Sequence, residues 1–126
     1  MRRRRRPRLI RVYTDGACVN NQNDPRRTPR AAGFGVHWPR GECDDLCEEL
    51  DGDYQTSNRA EIVAACAAIR QAIDAELITY NDVCDVMFEK VPAHSGNQAN
   101  EIADDLAQQA ARRNSRLRRN DYYYYD

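Results

Sequence analysis

The order of its hydrophobic patterns is what most restricts this chain: short β-like segments fill the first fifty residues, and a long helical repeat follows them. Leu9 to Val19 alternates around Ile10, Val12 and Thr14 and reads as a strand whose regular part ends at Gly16. Asn20 to Arg30 is polar, holds Pro25 and Pro29, and reads as a loop. Ala31 to Trp38 and Cys43 to Leu50 read as two further strands joined by a turn at Pro39-Arg40-Gly41, which makes an antiparallel meander. The period then changes. Ile62, Cys66, Ile69 and Ile73 recur at i, i+4, i+7 and i+11, so a helix is expected from about Asn58 to Ala75 with that stripe inward. Asp85 to Val91 reads as a short buried strand through Val86, Phe88 and Val91. Asn97 to Arg113 reads as a closing helix with Ile102, Leu106 and Ala110 inward. Strands followed by helices in one short chain give an α/β class.

At 126 residues and 41% hydrophobic content the chain can build one modest core. The expected division is a basic tail over 1–8, a single domain over 9–113 and a disordered tail over 114–126. No apolar run nears the roughly 18 residues of a membrane span, and no apolar stretch follows the N-terminal arginines as a secretory signal would require. An intracellular protein is therefore expected, with nucleus, cytoplasm and mitochondrion all compatible with an Arg-rich start. Cys18, Cys43, Cys47, Cys66 and Cys84 are odd in number and lack CxxC pairing, so neither a disulfide framework nor a zinc site is indicated.

The net charge of −1 conceals an asymmetry. Residues 1–11 hold seven Arg and no acid, and residues 112–119 hold five Arg and no acid. Residues 12–111 hold seven basic and 18 acidic side chains, a net of −11. An acidic body repels phosphate unless cations neutralise it, whereas Arg-rich ends attract it. Arg2 to Arg6 also read as a plain solvated tail. The Tyr122 to Tyr125 run has no physical account.

Three acids, far apart in sequence, each stand at the end of a regular element. Tyr13-Thr14-Asp15-Gly16-Ala17 places Asp15 where an apolar strand meets a turn. Thr56-Ser57-Asn58-Arg59-Ala60-Glu61 places Glu61 in the first turn of the long helix. Asn100-Glu101-Ile102-Ala103-Asp104 follows Val91-Pro92-Ala93-His94-Ser95-Gly96, which sets a titratable imidazole on a Gly-bearing loop ahead of a helix carrying Asp104. Such a set suggests a carboxylate cluster for a divalent metal, since hard oxygen donors suit Mg²⁺ or Mn²⁺. Each piece has a bland reading too: Asn58 and Glu61 fit a capping box, and His94 fits a surface loop histidine.

Taken in this order, Thr-Asp-Gly, Asn-Arg-Ala-Glu and Val-Pro-Ala-His-Ser-Gly with Asn-Glu-Ile-Ala-Asp resemble the cellular type 1 ribonuclease H family, over roughly residues 8–76 and 85–113. The resemblance implies a ribonuclease H-like mixed β-sheet with flanking helices. It implies endonucleolytic hydrolysis of the RNA strand of an RNA–DNA hybrid by two divalent ions, Mg²⁺ or Mn²⁺, about 3.5–4 Å apart. By the same resemblance Asp15 would bridge the ions, Glu61 would hold the one near the leaving group, and Asp104 the one that activates water. His94 would assist proton transfer or product release. Asn21, Ser57 and Asn58 would read the 2′-hydroxyl that marks the RNA strand; Asn20 to Asn23 equally fit ordinary loop polars.

The chain also departs from that family. A fourth acid after a central strand, and tens of residues of helices and basic handle behind it, have no clear counterpart. Asp82 could be the fourth acid, but only Val83 and Cys84 would then join two parallel strands, which need a crossover of a dozen or more residues. The preferred register takes Leu77 to Val83 as the remnant of a helix, with the central strand deleted. A catalytically inactive isoform, binding hybrid or duplex through its arginine ends, is the alternative function.

Overall fold

The computed structural model describes residues 9–20, 29–92 and 95–124, with side chains as far as Arg119. Three strands, β1 (Tyr13–Val19), β2 (Ala31–His37) and β3 (Leu46–Glu49), form one sheet in the order β1-β2-β3. Both pairings are antiparallel, with Asp15 opposite Gly35, Ala17 opposite Gly33 and Phe34 opposite Glu48. The meander is as expected, and so is its turn: Gly41, at φ +70°, donates its N–H to the Trp38 carbonyl at 2.9 Å. Gly16 does not end β1, however. It pairs with Phe34 in unbroken register, and the strand runs on to Val19.

Successive strand residues face opposite ways, so Ala32, Phe34 and Val36 look to one side of the sheet and Gly33 and Gly35 to the other. Helix α1 (Ser57–Asp74) covers the first side and helix α2 (Gln98–Tyr124) the second. The main core joins Ala32, Phe34, Val36, Trp38 and Leu50 to Ala60, Ala64, Ala68 and Ala72 of α1. A smaller one joins Ala17 to Ala107 and Ala111 of α2.

Both helices begin within a residue of their expected starts, but most of their inward residues differ from those expected. Ile62 is 66% exposed and Cys66 is exposed, while the buried stripe of α1 is alanine at every fourth position. In α2 Ala110 is buried as expected, but it is joined by Ala103, Ala107 and Ala111, while Leu106 is half-buried and Ile102 is 39% exposed. Glycine in the sheet is the cause. A Cβ on Gly16 would meet the Ala60 carbonyl carbon at 2.7 Å, and one on Gly35 would meet the Leu106 Cβ at 2.7 Å and the Ala107 nitrogen at 2.9 Å. Helices that lie this close to the strands can present only small side chains, so the bulky ones turn outward.

Three further expectations are corrected. Residues 86–91 are not a buried strand: they follow a 3₁₀ turn (Tyr80–Asp85) in irregular conformation, with Met87 92% and Phe88 76% exposed. A fully buried strand must be apolar on both faces, and Glu89 and Lys90 deny this segment either face. Without it the sheet, among the described residues, is wholly antiparallel rather than mixed. The closing helix does not stop at Arg113 but runs to Tyr124, with Asn114 and Ser115 buried; a tail beginning at 114 is incompatible with that burial.

Helix α1 ends in a Schellman arrangement, with Glu76 N–H donating to the Ile73 carbonyl at 3.0 Å and Leu77 N–H to the Ala72 carbonyl at 2.9 Å. Glu76 sits there at φ +58°, a left-handed position that glycine occupies without steric cost. Glu76→Gly is accordingly expected to stabilise the fold by about 1 kcal/mol, read as a raised urea midpoint with an unchanged slope.

Candidate active site

Asp15 lies in the third position of β1, which among the described residues has a neighbouring strand on one side only, and shares its face with Ala17, toward α2. Its cross-strand partner is Gly35, whose missing side chain lets the α2 backbone at Ala103 close onto the sheet. The next residue of that helix is Asp104, half-buried. On the other face Gly16 admits the backbone of Ala60 and Glu61. Two glycines flanking one carboxylate in the sheet therefore bring both helices, and an acid on each, to the same strand.

The electrostatics register that convergence. The Asp15 carboxyl is pushed up from 3.8 to about 7, first by burial and then by a hydrogen bond with Asp104, with the charges of Asp104 and Glu61 adding to the shift. The Gly16 N–H, donating to Oδ1 at 2.9 Å, pulls the other way. Burial first, and then the acidic neighbours, thus favour the protonated form of this carboxyl at higher pH than an ordinary aspartate.

Glu61 is not spent on capping. The N-cap of α1 is Thr56, whose Oγ1 accepts the Arg59 N–H at 3.1 Å, and Glu61 is the fifth helical residue, exposed. Arg59, between the cap and Glu61, donates to the carbonyls of Asp51 at 2.6 Å and Tyr54 at 2.9 Å, and so holds the loop before the helix. Ser57 and Asn58 open α1, Ser57 half-buried and Asn58 exposed. Asp82 stands apart: fully exposed, it accepts from the Thr79 N–H at 2.7 Å and from the Thr79 hydroxyl at 2.9 Å, and these bonds hold its carboxyl below the usual range. That turn gives Asp82 a local job, and it is not among the acids acting on Asp15. His94 and Asn21 lie outside the described residues, as do Arg2 to Arg6.

As a test of fit to a divalent cation, the donor set is right in kind: carboxylate oxygens, mutually repelling and without a positive partner among the described residues. The arrangement is not a finished cage, for among the described residues no three His, Cys, Asp or Glu side chains are grouped to hold a metal. Beyond Glu61 an apolar surface of Ile62, Ala65, Cys66, Ile69 and Phe88 lines a shallow depression.

One structural group escaped sequence reading. Gln55 and Asn114, both buried, tie the sheet to α2: Gln55 Oε1 accepts the Ala32 N–H at 2.8 Å and the Asn114 amide at 3.0 Å, and Asn114 Nδ2 also reaches the carbonyls of Ala32 at 2.8 Å and Leu50 at 3.2 Å. Beside them Arg113 forks onto Glu49, at 2.6 and 3.1 Å, and takes the Cys47 carbonyl at 2.6 Å. The only sequence signal for this group is an Asn in helical register with Ala103, Ala107 and Ala110, which periodicity counts as polar.

Among known proteins, the chain is similar to human Ribonuclease H1, at 33% identity over 146 aligned positions that take in 80% of this chain and 49% of the relative. It is similar to the mouse and rat Ribonuclease H1 proteins at 30% identity, over 80% of this chain and 50% of each. The chain thus spans about half the length of these curated relatives. Since 80% of 126 residues is about 101, some 45 of the 146 aligned positions have no residue of this chain opposite them, which accords with an internal shortening. The RNase H family profile matches residues 7–85, which is more than half of the sequence and includes both Asp15 and Glu61. With that match laid over a meander flanked by two helices, the chain belongs to the RNase H family.

Proposed function

We propose that this chain hydrolyses the RNA strand of RNA–DNA hybrids, with Asp15, Glu61 and Asp104 holding Mg²⁺ or Mn²⁺. The observation that carries the reading is the convergence of Asp104 and Glu61 on an Asp15 carboxyl raised to about 7. Acids that repel one another in a partly buried position are costly to the fold and suit a site that gains a cation. When bound, divalent ions would stabilise the charge on the entering and leaving oxygens of a phosphodiester. The protein groups do the positioning. Asp15 is fixed by the β1–β2 register and by the Gly16 N–H, Asp104 by the close seating of α2 on Gly35, and Glu61 by that of α1 on Gly16. Ser57 and Asn58, at the start of α1 near Glu61, supply a hydroxyl and an amide able to donate and accept at a 2′-hydroxyl. His94 would take the proton-handling part.

A second reading, hybrid binding without cleavage, is favoured by one observation, the lack of a grouped three-ligand set among the described residues. One assay separates the two. A hybrid labelled on the RNA strand is incubated with the full chain in Mg²⁺ or Mn²⁺, alongside Glu61→Gln and Asp104→Asn. Cleavage by the parent, lowered about a hundredfold or more in either variant, supports the first reading. Binding with no cut product in either metal leaves only the second.

A further inference from the structure

Helix α2 carries a stripe of arginine that neither the fold nor the acidic site uses. Residues 112–119 contain five arginines and no acid. Two are engaged internally: Arg113 with Glu49, and Arg118 with the Gly52 carbonyl at 2.8 Å and the Asn114 side chain at 3.1 Å. The other three, Arg112, Arg116 and Arg119, are exposed and have no side-chain hydrogen bond or ion pair with any described residue. Their spacing, i, i+4 and i+7, makes them one face.

Two ordinary explanations fail. Cations are favoured in the last turn of a helix, but α2 continues to Tyr124, so Arg112 and Arg116 lie well before its end. Nor does an acid on the helix compensate them: apart from the three arginines themselves, Gln108, Gln109, Arg113, Ser115, Asn120, Tyr122 and Tyr123 occupy the positions three and four residues away. Like charges at such spacings weaken a helix. The stripe therefore costs the isolated protein something and offers guanidinium groups to an external anion with repeated charges.

Its position relates it to the acidic site. Arg112, Arg116 and Arg119 follow Asp104 by eight, twelve and fifteen residues, which is about 12, 18 and 22 Å along the axis and within about 120° of Asp104 around it. At about 3.4 Å per base step that distance corresponds to roughly four to seven base pairs. Glu101 and Asp105, both exposed, crowd the N-terminal end of the same helix with negative charge, so a polyanion meets attraction only at the far end.

We infer that Arg112, Arg116 and Arg119 form a phosphate-binding track that holds the backbone of the hybrid several base pairs from Asp104. The inference rests on the hybrid as substrate, proposed above, but not on its cleavage. Guanidinium forks match phosphate oxygens in pairs, and the track supplies attraction that a body of net charge −11 otherwise denies a nucleic acid.

The test is binding of a fluorescent RNA–DNA hybrid of about two helical turns (~20 base pairs) to the full chain in EDTA, across a series of salt concentrations. The parent is compared with Arg112→Gln/Arg116→Gln/Arg119→Gln and with a charge-matched control, Arg11→Gln/Arg40→Gln/Arg70→Gln. Gln and Arg have similar helix propensity, and circular dichroism checks that all three proteins are folded. The expected result is a loss of about tenfold or more in affinity near 0.1 M salt and a shallower salt dependence, by about three in log–log slope, in the α2 variant alone. Equal losses in both variants would reduce the effect to net charge and overturn the track. An unchanged α2 variant would overturn it too, and would leave the stripe for an acidic protein. Cleavage in Mg²⁺, measured separately, can fail while the slope difference persists, or persist while the slope difference fails, so the two readings fall independently.

Discussion

Asp15→Asn is expected to abolish hybrid cleavage and at the same time make the metal-free protein more stable at pH 8. The loss of cleavage follows from the proposed role: an amide keeps the shape of the side chain but supplies no charge to a divalent ion, and an interaction of several kcal/mol is forfeited, a drop on the order of 10³-fold or more. The gain in stability follows from the raised carboxyl. Its folded value is about 7 against an ordinary 3.8, so between those two pH values the folded chain binds the proton more tightly than the unfolded chain does. Stability from this group is thus fully present below about pH 4, falls as pH rises toward 7, and stays low above it. Because Asp15 is only partly buried, the penalty at pH 8 is about 1–2 kcal/mol after solvent screening. In EDTA the Asn variant should therefore show a higher denaturant midpoint than the parent at pH 8 and a much smaller difference near pH 4. Equal midpoints at both pH values would refute the crowding of Asp15 by Asp104 and Glu61.

Ending the chain after Arg113 is expected to unfold it. The segment removed contributes buried Asn114, whose amide serves Ala32, Leu50 and Gln55. It also contributes Ser115, whose hydroxyl accepts from Asn20 Nδ2 at 2.8 Å, and Arg118, which holds the Gly52 carbonyl. Losing the whole group should cost about 4–6 kcal/mol, comparable with the entire stability of a marginal domain. Asn114→Ala alone strands a buried carbonyl and should cost about 2–3 kcal/mol. Urea unfolding followed by far-ultraviolet circular dichroism measures both. A truncated chain that unfolds cooperatively at the parent's midpoint would show that α2 beyond Arg113 is dispensable.

The meander, the turn at Gly41 and the extent of α1 were legible because each rests on local chemistry: alternation in the strands, a left-handed glycine, a run of helix formers. The three acids were legible as candidates, yet the approach of Asp104 and Glu61 to Asp15 depends on Gly16 and Gly35, whose purpose appears only when two helices press on the sheet. For the same reason the inward faces of both helices were misjudged. Periodicity weighs the large apolar residues, Ile62, Ile69 and Ile102, whereas approach to glycine selects alanine. Asn114 was hidden by its polarity, and Val86 to Val91 misled because the charged pair Glu89–Lys90 outweighs three apolar neighbours. Thr56 was passed over as the cap because Asn58 and Glu61 also match a capping box.

Among the described residues β1 has no strand beside it on the side away from β2, and this bears on solubility. A strand with unsatisfied amide and carbonyl groups is a template on which other chains can add, and proteins blunt such templates with charge. Here the charge midway along the template is Asp15 itself, which carries a proton below neutral pH and sheds it above. Protonation of Asp15 as the pH falls is therefore expected to leave that edge with less charge beside it, and association of the metal-free protein, read by light scattering, to rise in acidic solution.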